Sequence, residues 1–172
     1  MPITLVYNPG ATAVSPILQP IALFTWRGKK GAGTISKGDL CIIDTALTPD
    51  GWKQSPAVAT PAYAPFAVCQ ADVTSAATEL SLGTGGIQAI TAGGTIEIGQ
   101  PVMADTATAG RVIAFSATTV SATPTGAQVT SASYDTFRIV GWCLGFVDVY
   151  GTTTPLAPTT GDKAAILMKW GF

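Results

Sequence analysis

Short apolar runs alternate with turn-forming residues from end to end of the chain. No window carries the 3.6-residue spacing of a helix with one buried face. Leu40-Cys-Ile-Ile43, Phe66-Ala-Val-Cys69, Val102-Met-Ala104 and Arg111-Val-Ile-Ala-Phe115 have strand length and are bounded by Gly, Pro, Asp and Thr. Glu79-Leu-Ser-Leu82 and Gly86-Ile-Gln-Ala-Ile90 predict a hairpin through Gly83-Thr-Gly85. The most apolar run, from Phe137 to Val147, predicts a central strand bulged at Gly141 or Gly145. Residues 116–135, rich in Thr, Ser and Ala, predict a long exposed hairpin or loop, and Ala164–Trp170 predicts a closing strand. The expected fold class is all-β, a small β-barrel or sandwich-like domain.

One stretch is used twice. Thr34-Ile-Ser-Lys-Gly-Asp-Leu-Cys-Ile-Ile-Asp-Thr-Ala46 returns as Thr95-Ile-Glu-Ile-Gly-Gln-Pro-Val-Met-Ala-Asp-Thr-Ala107. Each copy reads as a Gly turn, a short apolar strand and an Asp-Thr turn, and each is followed later by a related run, Phe66–Ala71 and Val140–Gly145. A partial third echo, Gly161–Met168, ends the repeat series. The pattern predicts a domain of two related halves with a closing strand.

Residues 1–33 differ from this body, which spans residues 34–172. Pro2, Pro9, Pro16 and Pro20 punctuate short apolar pieces, so no helix forms there and the segment predicts an extended N-terminal arm leading into a first strand at Ile21–Trp26. Ile3, Leu5, Tyr7, Ile17 and Leu18 are the arm's candidate contacts with a neighbouring subunit or another shell protein, reached by strand addition.

Charge sharpens this picture. Only 19 of 172 residues are charged, 11%, against roughly 25% for an ordinary soluble protein. A folded monomer of this mass exposes about 8,000 Å², so there is roughly one charge per 400 Å². Such a surface suits an assembly component whose faces are covered by neighbours. The nine Lys and Arg are scattered and the net charge is -1, so no nucleic-acid partner is expected. The first residues lack a basic region followed by an apolar run, and no 18-residue apolar stretch exists; neither a secretory signal nor a membrane partner is expected.

The candidate chemistry is thin. Histidine is absent, which removes the commonest general base and zinc ligand. Cys41, Cys69 and Cys143 sit singly in apolar runs and read as buried, reduced side chains. Gly28-Lys-Lys-Gly-Ala-Gly33-Thr34 has Thr where a phosphate loop needs Lys, and a strand follows, so it reads as a turn. The paired Asp44-Thr-Ala46 and Asp105-Thr-Ala107 invite comparison with pepsin-like aspartic proteases, whose two carboxylates share one proton across a pseudo-dyad. Single-chain enzymes of that kind are about twice this length. The simpler expectation is that each Asp accepts a backbone N–H two residues on and caps a turn. No catalytic, cofactor or metal residue is therefore assigned. Trp142 and Trp170 lie in apolar strands and predict core positions. Trp52, after Pro49-Asp-Gly51, is the expected exposed tryptophan and a candidate contact anchor.

The ordered series Gly38-Asp39 with Asp44, Phe66-Ala-Val-Cys69, Ile96 with Gly99, Val102 and Asp105, Ile139-Val-Gly-Trp-Cys-Leu-Gly145 and Gly161-Asp162 with Ala164, Ile166 and Met168 resembles the small all-β head decoration, or cement, proteins of tailed phages. The resemblance implies a non-enzymatic structural protein made in the host cytoplasm. It would sit on the outer surface of the virion head, work as a homotrimer, and take the major capsid protein as partner, cementing adjacent capsomers. A carbohydrate- or receptor-binding module on a virion, and then an aspartic-protease-like hydrolase using Asp44 and Asp105, remain alternatives.

Overall fold

The computed structural model describes residues 21–47, 50–57, 65–148 and 153–169. The arm residues Ile3, Leu5, Tyr7, Ile17 and Leu18, together with Trp170, lie outside them. In chain order the strands are β1 (Ile21–Lys30), β2 (Leu40–Ile43), β3 (Gly51–Gln54), β4 (Phe66–Cys69), β5 (Glu79–Thr91), β6 (Pro101–Ala104), β7 (Val112–Ala114), β8 (Ile139–Val147), β9 (Thr153–Thr154) and β10 (Lys163–Met168). They form one sheet in the order β1-β3-β2-β4-β5-β10-β8-β6-β7, with β9 on β8. β1 also pairs antiparallel with β5, from Ile21 opposite Ile87 to Lys29 opposite Glu79. The first five strands thus close into a ring of pairings, and the second half extends from it through β5 and β10. The all-β class is as expected.

Burial explains the order. One core gathers Leu40, Phe66, Val68, Ile90, Ile96, Val102, Val140 and Ile166. The other, smaller core gathers Ile35, Cys41, Ala67, Cys69, Leu80 and Leu82, with Trp26 and Trp52 packed against it. Ile43 at the end of β2 is exposed, but the preceding side chains of β2 and all those of β4 alternate between the two cores, so β4 has no solvent face. That is why Phe66-Ala-Val-Cys69 reads as an unbroken apolar run, with all four residues buried. The three cysteines are buried and free. Burial, then the neighbouring Cys69 and Asp39, push the Cys41 thiol far above its ordinary range, and burial also raises Cys69 and Cys143.

β8 carries two irregularities. Gly145 and Cys143 face the consecutive residues Ala165 and Ile166 of β10, and Gly141 and Ile139 face the consecutive residues Val102 and Met103 of β6. One residue of β8 is extra at each place, next to the two glycines where bulging was expected.

Two expectations about secondary structure fail. The predicted hairpin at 79–90 is a single strand, β5. A hairpin requires its arms to pair with each other, whereas here β1 holds residues 79–87 and β10 holds 87–91. The stretch 116–135 is not a hairpin or plain loop either: it contains α1 (Gly126–Ser133), with α2 (Asp135–Arg138) directly after it. Thr125 accepts the Gln128 N–H at 3.3 Å and donates its own N–H to the Gln128 Oε1 at 3.0 Å, a capping box. No residue of α1 is buried, so the helix has no apolar stripe to read in the sequence. Its anchor is Asp135, which accepts from the Thr118 N–H at 2.7 Å and from Arg138 Nη1 at 2.7 Å, while the Arg138 guanidinium lies 5.7 Å from the Phe115 ring centre.

Candidate functional site

The repeated motif builds the same turn in both halves. In the first, the Asp39 N–H donates to the Ser36 carbonyl at 3.0 Å, and the Asp39 carboxylate accepts the Ser36 N–H at 2.8 Å. In the second, the Gln100 N–H donates to the Glu97 carbonyl at 3.1 Å, and the Gln100 side chain accepts the Glu97 N–H at 3.0 Å. Gly38 and Gly99 sit third in these turns at φ 86° and 82°, as a type II turn requires. The third echo repeats it: Thr159 and Asp162 make the same pair of bonds around Gly161. These are structural devices that set strand direction.

The two Asp-Thr turns do likewise. Asp44 Oδ1 accepts the Ala46 N–H at 3.3 Å and the Lys53 ammonium at 3.3 Å, while Asp105 Oδ1 accepts the Ala107 N–H at 2.8 Å. Among the described residues no hydrogen bond joins the two carboxylates. No group of His, Cys, Asp or Glu with metal-holding geometry occurs among those residues either.

A feature able to bind something is a groove of about 500 Å³ at the seam between the halves. Phe24, Trp26, Ile43, Trp52 and Phe66 line it from the first half; Phe137, Ile139, Val140 and Met168 line it from the second. Trp26 and Trp52 meet edge to face, with ring centres 5.6 Å apart. Gly28 makes that possible: a Cβ on it would lie 2.6 Å from Trp52 Cδ1, so a glycine in β1 gives the indole its seat. Polar groups at the rim are already engaged, Thr84 donating to the Phe66 carbonyl at 3.3 Å and Lys169 to the Thr136 carbonyl at 2.7 Å. The groove therefore offers apolar surface and few free hydrogen-bonding groups, which suits aliphatic and aromatic side chains.

Trp52, the sequence's candidate anchor, is in this groove but half-buried against Trp26 rather than standing free. Among the described tryptophans the exposed one is Trp142, at 39%, where a core position was expected. The pleat of β8 turns Cys143 inward and Trp142 outward, opposite the equally exposed Leu167 of β10. Sequence reasoning weighed Trp26 only among the tryptophans that could stack on a sugar, and missed Phe24, Phe66 and Phe137. The alternation Phe24-Thr-Trp26 was a usable signal, since it puts two aromatic rings on one face of one strand.

Fold and groove define an all-β domain of two related halves with an apolar seam between them. No family model and no curated protein matches the chain. Among solved structures it is similar to the N base of the head fiber gp8.5 of bacteriophage phi29, at a TM-score of 0.52 and 10% identity, covering 85% of this chain and 93% of that one. At that identity the likeness is one of fold.

Proposed function

We propose that the protein is a structural component of a phage virion, of the head-decoration type. It binds the outer surface of the capsid, bridges adjacent capsomers and stabilises the shell without catalysing a reaction. Its partner is the major capsid protein, and its working form is a homotrimer. The observation that carries this reading is the fold shared along 85% of the chain with a component of a phage head. The motif resemblance to decoration proteins supports it from different ground, because it rests on the turns and strands themselves. So does the surface, poor in charge and bearing exposed apolar residues such as Leu23, Trp142 and Leu167. Three weak contacts acting through one trimer become a strong one, since the second and third bind at high effective concentration.

The test is to add the purified protein to expanded heads of its source that lack it. Saturable co-sedimentation and a raised temperature of shell rupture are expected. Absence of binding with the protein in excess contradicts the proposal. The Trp26–Trp52 pair gives the one foothold for a carbohydrate- or receptor-binding module; glycan binding abolished by Trp52→Ala would favour that reading instead.

A further inference from the structure

We infer that the seam groove is the receptor for the N-terminal segment of a second copy of this chain, with Ile3, Leu5 and Tyr7 as the inserted side chains. The inference deepens the trimer contact of the proposed function and rests on that part of it, while making no use of shell binding.

The groove sets the requirements. Its volume, about 500 Å³, lies within the roughly 300–1,000 Å³ of sites that enclose a ligand of several large groups. Its walls are aromatic and aliphatic and its rim groups are already bonded, so an occupant needs apolar side chains and no buried charge. Residues 1–20 meet this: MPITLVYNPGATAVSPILQP contains no Asp, Glu, Lys or Arg. In an extended Ile3-Thr-Leu-Val-Tyr7, alternate residues share a face, so Ile3, Leu5 and Tyr7 point together while Thr4 and Val6 point away.

The place where the segment joins the body points to another copy. β1 begins at Ile21 and runs past Phe24 to Trp26, so the chain before Ile21 is attached at the Phe24 end of the groove. Continuing the direction of β1 backward leads away from Trp26 and Trp52. Pro16 and Pro20 each fix their own φ and bias the residue before them toward extended backbone, which favours a segment that projects from the body. Twenty extended residues span up to about 65 Å, enough to reach a neighbouring subunit. A segment-into-groove contact joins two different surfaces, and such a contact gives a ring where its rotation closes, three-fold in a trimer, and an open filament where it does not.

The experiment uses full-length chains. A tagged Leu5→Cys variant is mixed with an untagged Phe137→Cys variant under mild oxidation. Phe137 lies at the rim, 44% exposed, and the three native thiols are buried, which keeps background low. A disulfide between tagged and untagged chains is expected, about tenfold or more above that given by Thr4→Cys on the opposite face. Sedimentation velocity supplies the second readout: Leu5→Asp should weaken self-association about tenfold or more. A double Leu5→Cys/Phe137→Cys chain that closes on itself as a monomer overturns the inference in favour of its own arm. Equal crosslinking from positions 4 and 5, or a monomer at all concentrations, overturns it too. Loss of shell binding with the chain-to-chain crosslink intact leaves the inference standing and removes the decoration reading alone.

Discussion

Cys69 and Cys143 hold equivalent positions in the two halves of the molecule. The Gly38 N–H donates to the Cys69 carbonyl at 2.8 Å and the Gly99 N–H to the Cys143 carbonyl at 2.7 Å. In return the Cys69 N–H donates to the Asp39 carbonyl at 3.0 Å and the Cys143 N–H to the Gln100 carbonyl at 2.9 Å. The sequence repeat is thus a repeat of hydrogen bonding, in which a glycine turn is clamped to a buried cysteine, at the end of β4 in the first half and in the middle of β8 in the second.

The two turn glycines should respond differently to alanine. Gly99→Ala meets no atom within 4 Å, so its cost is that of placing a side chain at positive φ, about 1–2 kcal/mol. Gly38→Ala adds a contact of 2.9 Å with the Ala89 carbonyl oxygen and one of 2.6 Å with Lys163 Nζ, and should cost more. Urea unfolding of both variants checks the order. Equal losses would mean that the Gly38 turn moves aside freely.

At the groove, Gly28→Ala should unseat Trp52 from Trp26 and lower stability by about 1–3 kcal/mol. The readout is near-ultraviolet circular dichroism, where the coupled indoles contribute. An unchanged spectrum would contradict the role given to Gly28.

The thiols of Cys41, Cys69 and Cys143 should resist a thiol reagent at pH 8 in the native protein and all react on unfolding. Burial raises each of them, and the thiolate is the reacting species. Fast labelling of any one in the folded state would contradict its placement.

Asp135 gives the helical insertion a pH dependence. Burial alone would raise its carboxyl, but hydrogen bonds from Thr118 and Arg138, with the Arg138 charge, outweigh it and hold the group below the ordinary range. A carboxylate depressed on folding stabilises the protein above its unfolded pKa, and that contribution is lost as pH falls through the lower, folded value. Residues 118–138 should therefore loosen below about pH 4, before the strands do. Amide exchange at Thr118 compared with Ile166 reports it, and Asp135→Asn should remove the acid step. Simultaneous loss at both sites would contradict this.

Asp44→Asn and Asp105→Asn should each weaken a turn by about 1 kcal/mol or less, because the amide oxygen still accepts the N–H two residues on. Thermal unfolding measures this. Acid-pH cleavage of unfolded substrates that disappears in both variants would instead revive the protease reading.

Much of this fold was legible because turns and β-strands are local. Gly38, Asp39, Asp44 and their counterparts announce their bonds in their own spacing, and the odd single cysteines announced burial. What was hidden depends on partners distant in the chain. The span 79–90 looked like a hairpin until β1 and β10 claimed its two ends. Trp142 looked like core because an apolar run does not reveal which way its pleat faces. α1 was hidden for the opposite reason: with no buried face, its signal was the Thr125–Gln128 cap alone. The groove required Phe24, Phe66 and Phe137 to meet across the seam, and only the alternation in β1 hinted at it.

The most direct test of the account is the amount of this protein in purified particles from its source, by quantitative mass spectrometry against the major shell protein. A fixed stoichiometry of three copies per three-fold or quasi-three-fold position of the shell, on the order of hundreds of copies per particle, is the expected result for a trimer bound around the head. A handful of copies per particle, or none, would contradict it.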